Sequence, residues 1–252
     1  MISKVYKRSA KGLVRKKNED SITVFSFESQ DRNWHCLAVA DGVGGHNAGD
    51  LASSIVVENL EEVILSDIDK FEISDLIQGS IKEINQIIYK KSLESDAYQG
   101  MGTTVTMALI SEGNLYIGHV GDSRAYLLRD NQLSLLTQDH SIVGELVKSG
   151  KITKEEAMNH PRKNIILQAV GLENNLKVDF LHKKLIDQDL IILCTDGFSD
   201  LVSDQEIEKI FSENEDEAID ILTRLVLDRG ARDNYSIIAA KWVNGDGENA
   251  ID

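Results

Sequence analysis

The chain has 252 residues, of which 42% are hydrophobic and 27% are charged, and this composition is typical of a globular protein rather than a disordered one. Its formal net charge of −15 argues against binding to nucleic acid, which requires basic surfaces that neutralise phosphates. The longest apolar runs are far shorter than a membrane span, and the polar first residues predict no signal peptide, so we expect a cytoplasmic protein with no membrane partner.

The sequence contains two cysteines, Cys36 and Cys194, each inside an apolar, strand-like run. Cysteines at such positions are typical of buried thiols in a reducing compartment. A zinc site needs more ligands at suitable spacing than two isolated cysteines offer.

The first predicted elements are two strands and two helices. The strands, at 21–27 and 34–40, are rich in β-branched and aromatic residues. The helices, at 48–65 and 74–93, are amphipathic. In the second, isoleucines recur at helical spacing and form one apolar face: Ile77, Ile81, Ile84 and Ile88.

Four strands follow, at 103–110, 114–120, 124–129 and 132–136. The links between them are short, and one of them is Gly121-Asp122-Ser123. Because a parallel crossover needs a dozen residues or more, such links predict antiparallel neighbours.

Residues 140–164 predict a mobile helical insert, because they are mostly polar and include two glycines and Pro161. The elements after it are strands at 177–182, 189–195 and 235–242, helices at 203–211 and 216–228, and an acidic tail at 244–252. No repeat and no proline-rich linker divides the chain. We therefore predict a single domain over residues 1–243, of the α+β class, with helices outside antiparallel sheets.

Acidic residues stand where apolar strands begin or end, each beside glycine or another small or polar residue. They are Glu19, Asp20, Asp41, Asp122, Asp196 and Asp233. One aspartate at a strand end is usually a turn residue or a helix cap. A gathering of four or five carboxylates is different, because it is very costly without cations. Hard divalent cations with oxygen ligands remove that cost, so the pattern predicts Mn²⁺ or Mg²⁺.

Two such ions can activate a water and neutralise a phosphoryl group. No cysteine lies in a phosphate-cradling loop, so direct attack by water is the simplest mechanism. Arg15 could hold phosphate oxygens with its planar fork of donors. It belongs to the basic segment 1–17, which has seven lysines and arginines and no acid. That segment is either a solvated strand edge carrying lysines or a positive lip beside an anion-binding site.

The ordered motifs of this chain resemble those of the PPM-type, or protein phosphatase 2C, metal-dependent serine/threonine phosphatases. The motifs are Arg15 to Asp20, Asp41-Gly42-Val43-Gly44-Gly45-His46, Gly102-Thr103-Thr104, Gly121-Asp122-Ser123-Arg124, Asp196-Gly197 and Asp233-Asn234. Each is weak alone, but their joint order is specific, and the second is similar to the bacterial branch. The resemblance implies a four-layer sandwich, in which two antiparallel sheets are flanked by helical pairs, with residues 140–164 as the variable flap.

The resemblance also implies residue roles. Asp41 would bridge two metal ions, with Asp196 and Asp233 completing the first site and the Gly42 carbonyl joining Asp41 at the second. Glu19 and Asp20 would lie nearby, partly through water, and Asp122 would share a third ion with Asp196. Arg15 would bind the substrate phosphate. His46 would be a candidate general acid, although a helix-capping role for it is the alternative. Asp139 and His140 are interpreted as a turn and a helix cap.

These features favour hydrolysis of phosphoserine and phosphothreonine on proteins. In a bacterium, such an enzyme would reverse the action of a serine/threonine kinase. One alternative is a phosphatase dedicated to a single regulator of the anti-anti-sigma type. Another is a non-enzymatic, metal-bound signalling module, against which the intact acidic set weighs. A two-metal nuclease fits the carboxylates but not the negative charge. We expect phosphoprotein substrates, no nucleic-acid partner and a monomer.

Overall fold

The computed structural model describes residues 1–43, 48–153, 156–157 and 160–244. Two antiparallel sheets form its centre. The first sheet has the strand order β1 (Ile2–Ala10), β11 (Tyr235–Trp242), β10 (Leu190–Cys194), β7 (Arg124–Arg129) and β8 (Gln132–Leu135). The second has the order β2 (Asp20–Ser29), β3 (Arg32–Val43), β5 (Val105–Ser111), β6 (Asn114–Val120) and β9 (Asp179–Lys184), and the short β4 (Gly102–Thr103) pairs with the end of β3.

Helices cover the outer face of each sheet. Helices α1 (Gly49–Asp67) and α2 (Ile73–Ser92) pack against the second sheet. The predicted isoleucine face of α2 is fully buried. Helices α5 (Asp204–Glu213) and α6 (Ala218–Asp228) pack against the first sheet. A capping box between Ser203 and Glu206 fixes the start of α5.

The core has three parts, which correspond to the three interfaces between four layers. One apolar cluster lies between α1, α2 and the second sheet, and another lies between α5, α6 and the first sheet. The third lies between the sheets, where Leu37 and Val39 of β3 meet Ile191 and Leu193 of β10. The predicted α+β, four-layer fold class is confirmed. Cys36 and Cys194 are buried free thiols. Within the described residues, no helix is both long and apolar enough to cross a bilayer.

One prediction about chain path is wrong. The links after β5 and β7 join antiparallel neighbours, as expected. The link Gly121-Asp122-Ser123 does not, because β6 belongs to the second sheet and β7 to the first. Gly121 has φ of 112°, and a Cβ there would lie 2.5 Å from Thr104 Cγ2. Glycine therefore lets the chain pass from one sheet to the other within three residues, and this crossing leaves Asp122 at one end of the sandwich.

The predicted flap region holds one clear helix in its described part, α3 (Ile142–Lys148). Its N-cap is Ser141, whose hydroxyl accepts a hydrogen bond from the Gly144 amide at 3.0 Å. The interpretation of Asp139 and His140 as a turn and cap therefore needs correction. Asp139 pairs with Arg124 at 2.7 Å, and His140 bonds to Gly121 through its backbone amide and its ring. Lys154, Glu155, Met158, Asn159 and most of the predicted acidic tail lie outside the described residues.

Candidate metal centre

Asp20, the first residue of β2, lies opposite Asp41 in the pairing of β2 with β3. Its Oδ2 accepts hydrogen bonds from Thr195 Oγ1 at 2.9 Å and from Ser236 Oγ at 2.7 Å. Its Oδ1 is buried and has no hydrogen-bond partner in the described part of the chain. A buried carboxylate oxygen without a partner is costly, so this atom is suited to a ligand.

Asp41 is fixed through its backbone on the end of β3. Its amide donates to Thr104 Oγ1 at 2.9 Å, and its carbonyl accepts from the Thr104 amide at 2.8 Å and from Thr103 Oγ1 at 2.9 Å. The Gly102-Thr103-Thr104 motif thus positions the backbone of Asp41, and the side chain of Asp41 remains available to the site.

Asp196 begins the short helix α4 (Asp196–Ser199), directly after β10. Its carboxyl group is near enough to that of Asp41 for its charge to raise the Asp41 pKa, after the larger effect of burial. The next residue must be small, because a Cβ on Gly197 would lie 1.9 Å from the Asn234 carbonyl oxygen and 3.2 Å from Asp233 Cβ. Gly197 therefore allows the segments of Asp196 and Asp233 to meet.

Asp122 is 6% exposed on the crossing between the sheets. Its Oδ1 is the second buried carboxylate oxygen of this region without a partner among the described residues. The negative charge of Asp196 acts on it, which places Asp122 on the Asp196 side of the cluster.

Asp233 and Arg15 meet at the solvent edge of the cluster. The Arg15 guanidinium donates to Asp233 Oδ2 at 2.7 Å and lies 3.7 Å from Glu19 Oε2. Half of the Arg15 side chain remains exposed. The hydrogen bond from Arg15 to Asp233 is the main cause that raises the pKa of Arg15.

Gly42 lies one residue beyond Asp41 in β3 and close to Gly49, the first residue of α1. A Cβ on Gly42 would lie 2.2 Å from the Gly49 carbonyl oxygen and 2.7 Å from the Glu19 carbonyl oxygen. Only glycine fits between them, so this position brings the start of α1 against the end of β3. His46, the candidate general acid, lies outside the described residues.

The pKa shifts reflect a crowded acidic site. Burial raises the pKa of Asp20 to about 7 against the hydrogen bonds from Ser236 and Thr195, and burial raises that of Asp196 to about 6. The pKa values of Asp41 and Asp122 are raised well above the ordinary value, first by burial and then by the charge of Asp196. Asp41 and Asp196 keep some solvent contact. Without cations the four carboxyl groups cannot all be ionised at low cost near neutral pH.

The donor set fits hard divalent cations. It is made only of carboxylate and carbonyl oxygens, and it leaves two buried carboxylate oxygens unpartnered. In the described residues, however, no three acidic, histidine or cysteine side chains are already arranged around one point. One contact accounts for part of this, because Asp233 is turned to Arg15. The side chain of Asp233 would have to turn to join a cation site, whereas Asp20 already has a free oxygen.

The structure also shows residues that support the site and to which the sequence assigned no such role. Thr195 and Ser236 hold Asp20, and the Ser236 amide donates to Thr195 Oγ1 at 2.9 Å. Asn234 accepts from the Glu19 amide at 2.9 Å. The position of Thr195 directly before Asp196 was a usable signal for its role, whereas Ser236 had none.

The acidic cluster, the four-layer fold and the order of the motifs agree with one family. The residue pattern that defines Protein phosphatase 2C matches residues 14–225 of this chain. The chain belongs to the protein phosphatase 2C family.

Relatives of this phosphatase family member cover almost all of it. The serine/threonine phosphatase stp of Listeria monocytogenes serotype 4b (strain F2365) is 38% identical over 236 residues, which are 92% of this chain and 92% of the relative. The crystal structure of the serine/threonine phosphatase Stp1 from Staphylococcus aureus has a TM-score of 0.85 at 34% identity, and the match covers 97% of this chain and 96% of that one. The PstP catalytic domain, solved with 2 manganese ions, has a TM-score of 0.81 at 33% identity, with 96% and 99% covered.

Proposed function

We propose that this chain hydrolyses phosphoserine and phosphothreonine on proteins, with Mn²⁺ or Mg²⁺ as its cofactor. The observation that supports this most directly is the acidic cluster with two unpartnered buried oxygens, found at the strand ends of a protein phosphatase 2C fold. The relatives stp and Stp1 carry the name serine/threonine phosphatase, and they match the chain over nearly its whole length.

Two cations would be held mainly by the central residues of the cluster. We assign Asp41 to both, Asp196 and Asp233 to the first, and the Gly42 carbonyl to the second, with Asp20 and Glu19 beside them. The two manganese ions of PstP support this number. A third ion would be held by Asp122 and Asp196, and the orphaned Asp122 Oδ1 supports that assignment. Bound ions of this kind supply an activated water and neutralise a phosphoryl group.

The chain's own residues bind and orient the substrate. The exposed donors of Arg15 suit two phosphate oxygens, because the guanidinium is planar and forked. Thr195, Ser236 and Thr104 hold Asp20 and Asp41 in place, so little rearrangement is needed when substrate arrives. We assign His46 to protonation of the leaving serine or threonine oxygen, on the strength of the family resemblance alone.

The biological setting follows from this chemistry. A phosphatase of this class in a bacterium would act in signalling, opposite a serine/threonine kinase. We place it in the cytoplasm as a monomeric single domain over residues 1–243, and the two buried free cysteines agree with a reducing compartment.

The test is an assay with phosphoserine and phosphothreonine peptides. We expect hydrolysis with Mn²⁺ or Mg²⁺, loss of activity in excess EDTA, and recovery on renewed addition of metal. Okadaic-acid-type inhibitors of other phosphatase families should have no effect. Full activity in excess EDTA would refute the proposal.

A further inference from the structure

The loop of residues 11–17 carries an unusual combination of side chains beside the candidate metal centre. We call this loop the basic lip. Every residue from Leu13 to Lys17 is exposed, and Leu13 and Val14 are 65% and 66% exposed. These two apolar side chains directly precede Arg15. The two residues form a small exposed apolar surface rimmed by cations beside the candidate metal centre, and such a surface can contact an apolar side chain of a ligand.

The basic lip is held in a defined position. The side-chain amide of Asn234, a residue 3% exposed, donates to the Lys11 carbonyl at 3.0 Å and to the Lys17 carbonyl at 2.8 Å. One buried amide thus ties both ends of the loop to the residue that follows Asp233. The Leu13 amide also donates to the Ala231 carbonyl at 2.8 Å. Because the lip is ordered in advance, a ligand that binds it does not have to order it.

Positive charge on the lip remains uncompensated. Lys17 pairs with Asp50 at 3.0 Å, and Arg15 pairs with Asp233. Lys11 and Lys16 form no ion pair with any acid of the described residues, and both are exposed. On a chain of net charge −15, local positive charge of this kind attracts acidic groups over about 10 Å, the screening length at 0.1 M salt.

We propose that the basic lip is a docking surface for the substrate segment around the phosphorylated residue, and that it selects segments with acidic and apolar side chains. This proposal rests on the proposed phosphatase function and names its substrate class. An extended peptide advances about 3.3 Å per residue, so side chains within roughly four residues of the phosphorylated one can reach the lip when Arg15 holds the phosphate. Lys11 and Lys16 meet the acidic residues, and Leu13 and Val14 meet the apolar one.

The experiment compares phosphothreonine peptides of equal length that differ only within four residues of the phosphothreonine. One has glutamates there, one glutamines and one lysines, and kcat/KM is measured with Mn²⁺ at low and at high salt. We expect a preference for glutamate over glutamine of about two- to fivefold per charge pair, the size of an exposed ion pair, which shrinks at high salt. An equal kcat/KM for the three peptides in the wild-type protein would overturn the proposal.

Variants locate the preference on the lip. The double change Lys11→Glu and Lys16→Glu should abolish or invert the order of the peptides. Lys82→Glu makes the same kind of charge reversal at an exposed position of α2, and it should preserve the order. A further pair of peptides differs only in having leucine or alanine near the phosphothreonine. We expect the wild-type protein to have the higher kcat/KM with the leucine peptide, and the double change Leu13→Ser and Val14→Ser to reduce this advantage. If the double variant kept the same preference for the glutamate peptide, the docking surface would lie elsewhere and the proposal for the basic lip would be wrong.

The failure of this proposal is distinguishable from failure of the phosphatase function. Hydrolysis of p-nitrophenyl phosphate by the wild-type protein involves no flanking residues, so it reports the catalytic centre alone. Absence of that activity with Mn²⁺ would refute the function, whereas its presence together with indifference to flanking charge would refute only the lip.

Discussion

At the residue scale, two carboxylates of the acidic cluster each have a buried oxygen without a hydrogen-bond partner among the described residues. Asp20 has two hydroxyl donors on one oxygen and none on the other, and Asp122 also has an unpartnered oxygen. Thr195 and Ser236 support one oxygen of Asp20 and leave the other without a partner, an arrangement that suits a ligand better than it suits a turn or a helix cap. We therefore expect these carboxylates to serve cation binding at the expense of the stability of the cation-free state.

Arg15 provides a test at this scale. Arg15→Ala removes the forked donor, and we expect KM for a phosphopeptide to rise about tenfold while kcat falls less, because phosphate contacts present in the ground state act mainly on KM. Steady-state kinetics with Mn²⁺ measures both constants. The matched control is Arg32→Ala: Arg32 has the same side-chain exposure of 49%, but it pairs with Glu112 at 3.2 Å. An unchanged KM for Arg15→Ala would show that Arg15 does not contact the substrate phosphate.

Some residues of the acidic cluster can be predicted from the sequence, and others cannot. Asp41 and Asp196 could be found because each follows an apolar strand and precedes glycine, a pattern that survives without any alignment. Ser236 could not, because a serine inside a strand gives no local signal and gains its role only when β11 is placed beside β10. Asn234 was recognised as part of a motif, but its two bonds to the basic lip depend on a contact between the two ends of the chain.

At the scale of elements, strand positions were predicted well and connections less well. The strands at 114–120, 124–129 and 235–242 have the predicted bounds, because their apolar runs end at glycine, aspartate or asparagine. At Gly121 the short link predicts two antiparallel neighbours, whereas the structure has a crossing from one sheet to the other. Chain length alone cannot distinguish a turn within a sheet from a step between sheets that lie face to face, and only the partner strands of β6 and β7 decide it.

This crossing leads to a prediction for Asp122. We expect Asp122→Ala to leave the binding of two Mn²⁺ ions intact but to reduce kcat by about 100-fold, because a weak third ion with few protein ligands and several waters would be lost. Calorimetric titration with Mn²⁺ beside steady-state kinetics measures both effects. Asp130→Asn, in the exposed turn between β7 and β8, is the control. Loss of all Mn²⁺ binding would make Asp122 a ligand of the central pair, and unchanged kinetics would make it a turn residue.

At the scale of the whole molecule, the three apolar clusters stabilise a sandwich that carries an acidic cluster at one end. Each sheet has one face against helices and one against the other sheet, and central strands such as β10 are accordingly apolar and buried on both faces. The α+β class follows from such strands and from the apolar faces of the helices, whereas the four layers were implied by the family resemblance. The antiparallel pairing of β1 with β11 could not be predicted from the sequence, because it joins the first and last strands of the chain.

The acidic cluster predicts how stability depends on pH. Folding raises the pKa of Asp20 from 3.8 to about 7 and that of Asp196 from 3.8 to about 6. A group whose pKa is raised by folding stabilises the protein below its unfolded pKa and loses this effect as pH rises through the folded pKa. In excess EDTA, the melting temperature should therefore fall between about pH 4 and about pH 7.

Mn²⁺ should abolish most of this fall, because it favours the ionised carboxylates. Asp20→Asn, which cannot titrate, should show a shallower fall in EDTA than the wild-type protein. Differential scanning calorimetry across this pH range makes the comparison. A melting temperature in EDTA that rises steadily from pH 4 to pH 7 would contradict the assigned pKa shifts.

The measurement that tests the central claim most directly is a calorimetric titration of the metal-free protein with Mn²⁺, carried out on the wild-type chain and on Asp196→Asn. We expect at least two bound ions in the wild-type protein. In Asp196→Asn we expect weakened binding, together with a fall in phosphopeptide turnover of about 100-fold or more, since cation charge is the main stabiliser of the transition state. Circular dichroism should show the same fold for both. Equal Mn²⁺ binding and equal turnover in the two proteins would contradict a metal-dependent mechanism that uses Asp196.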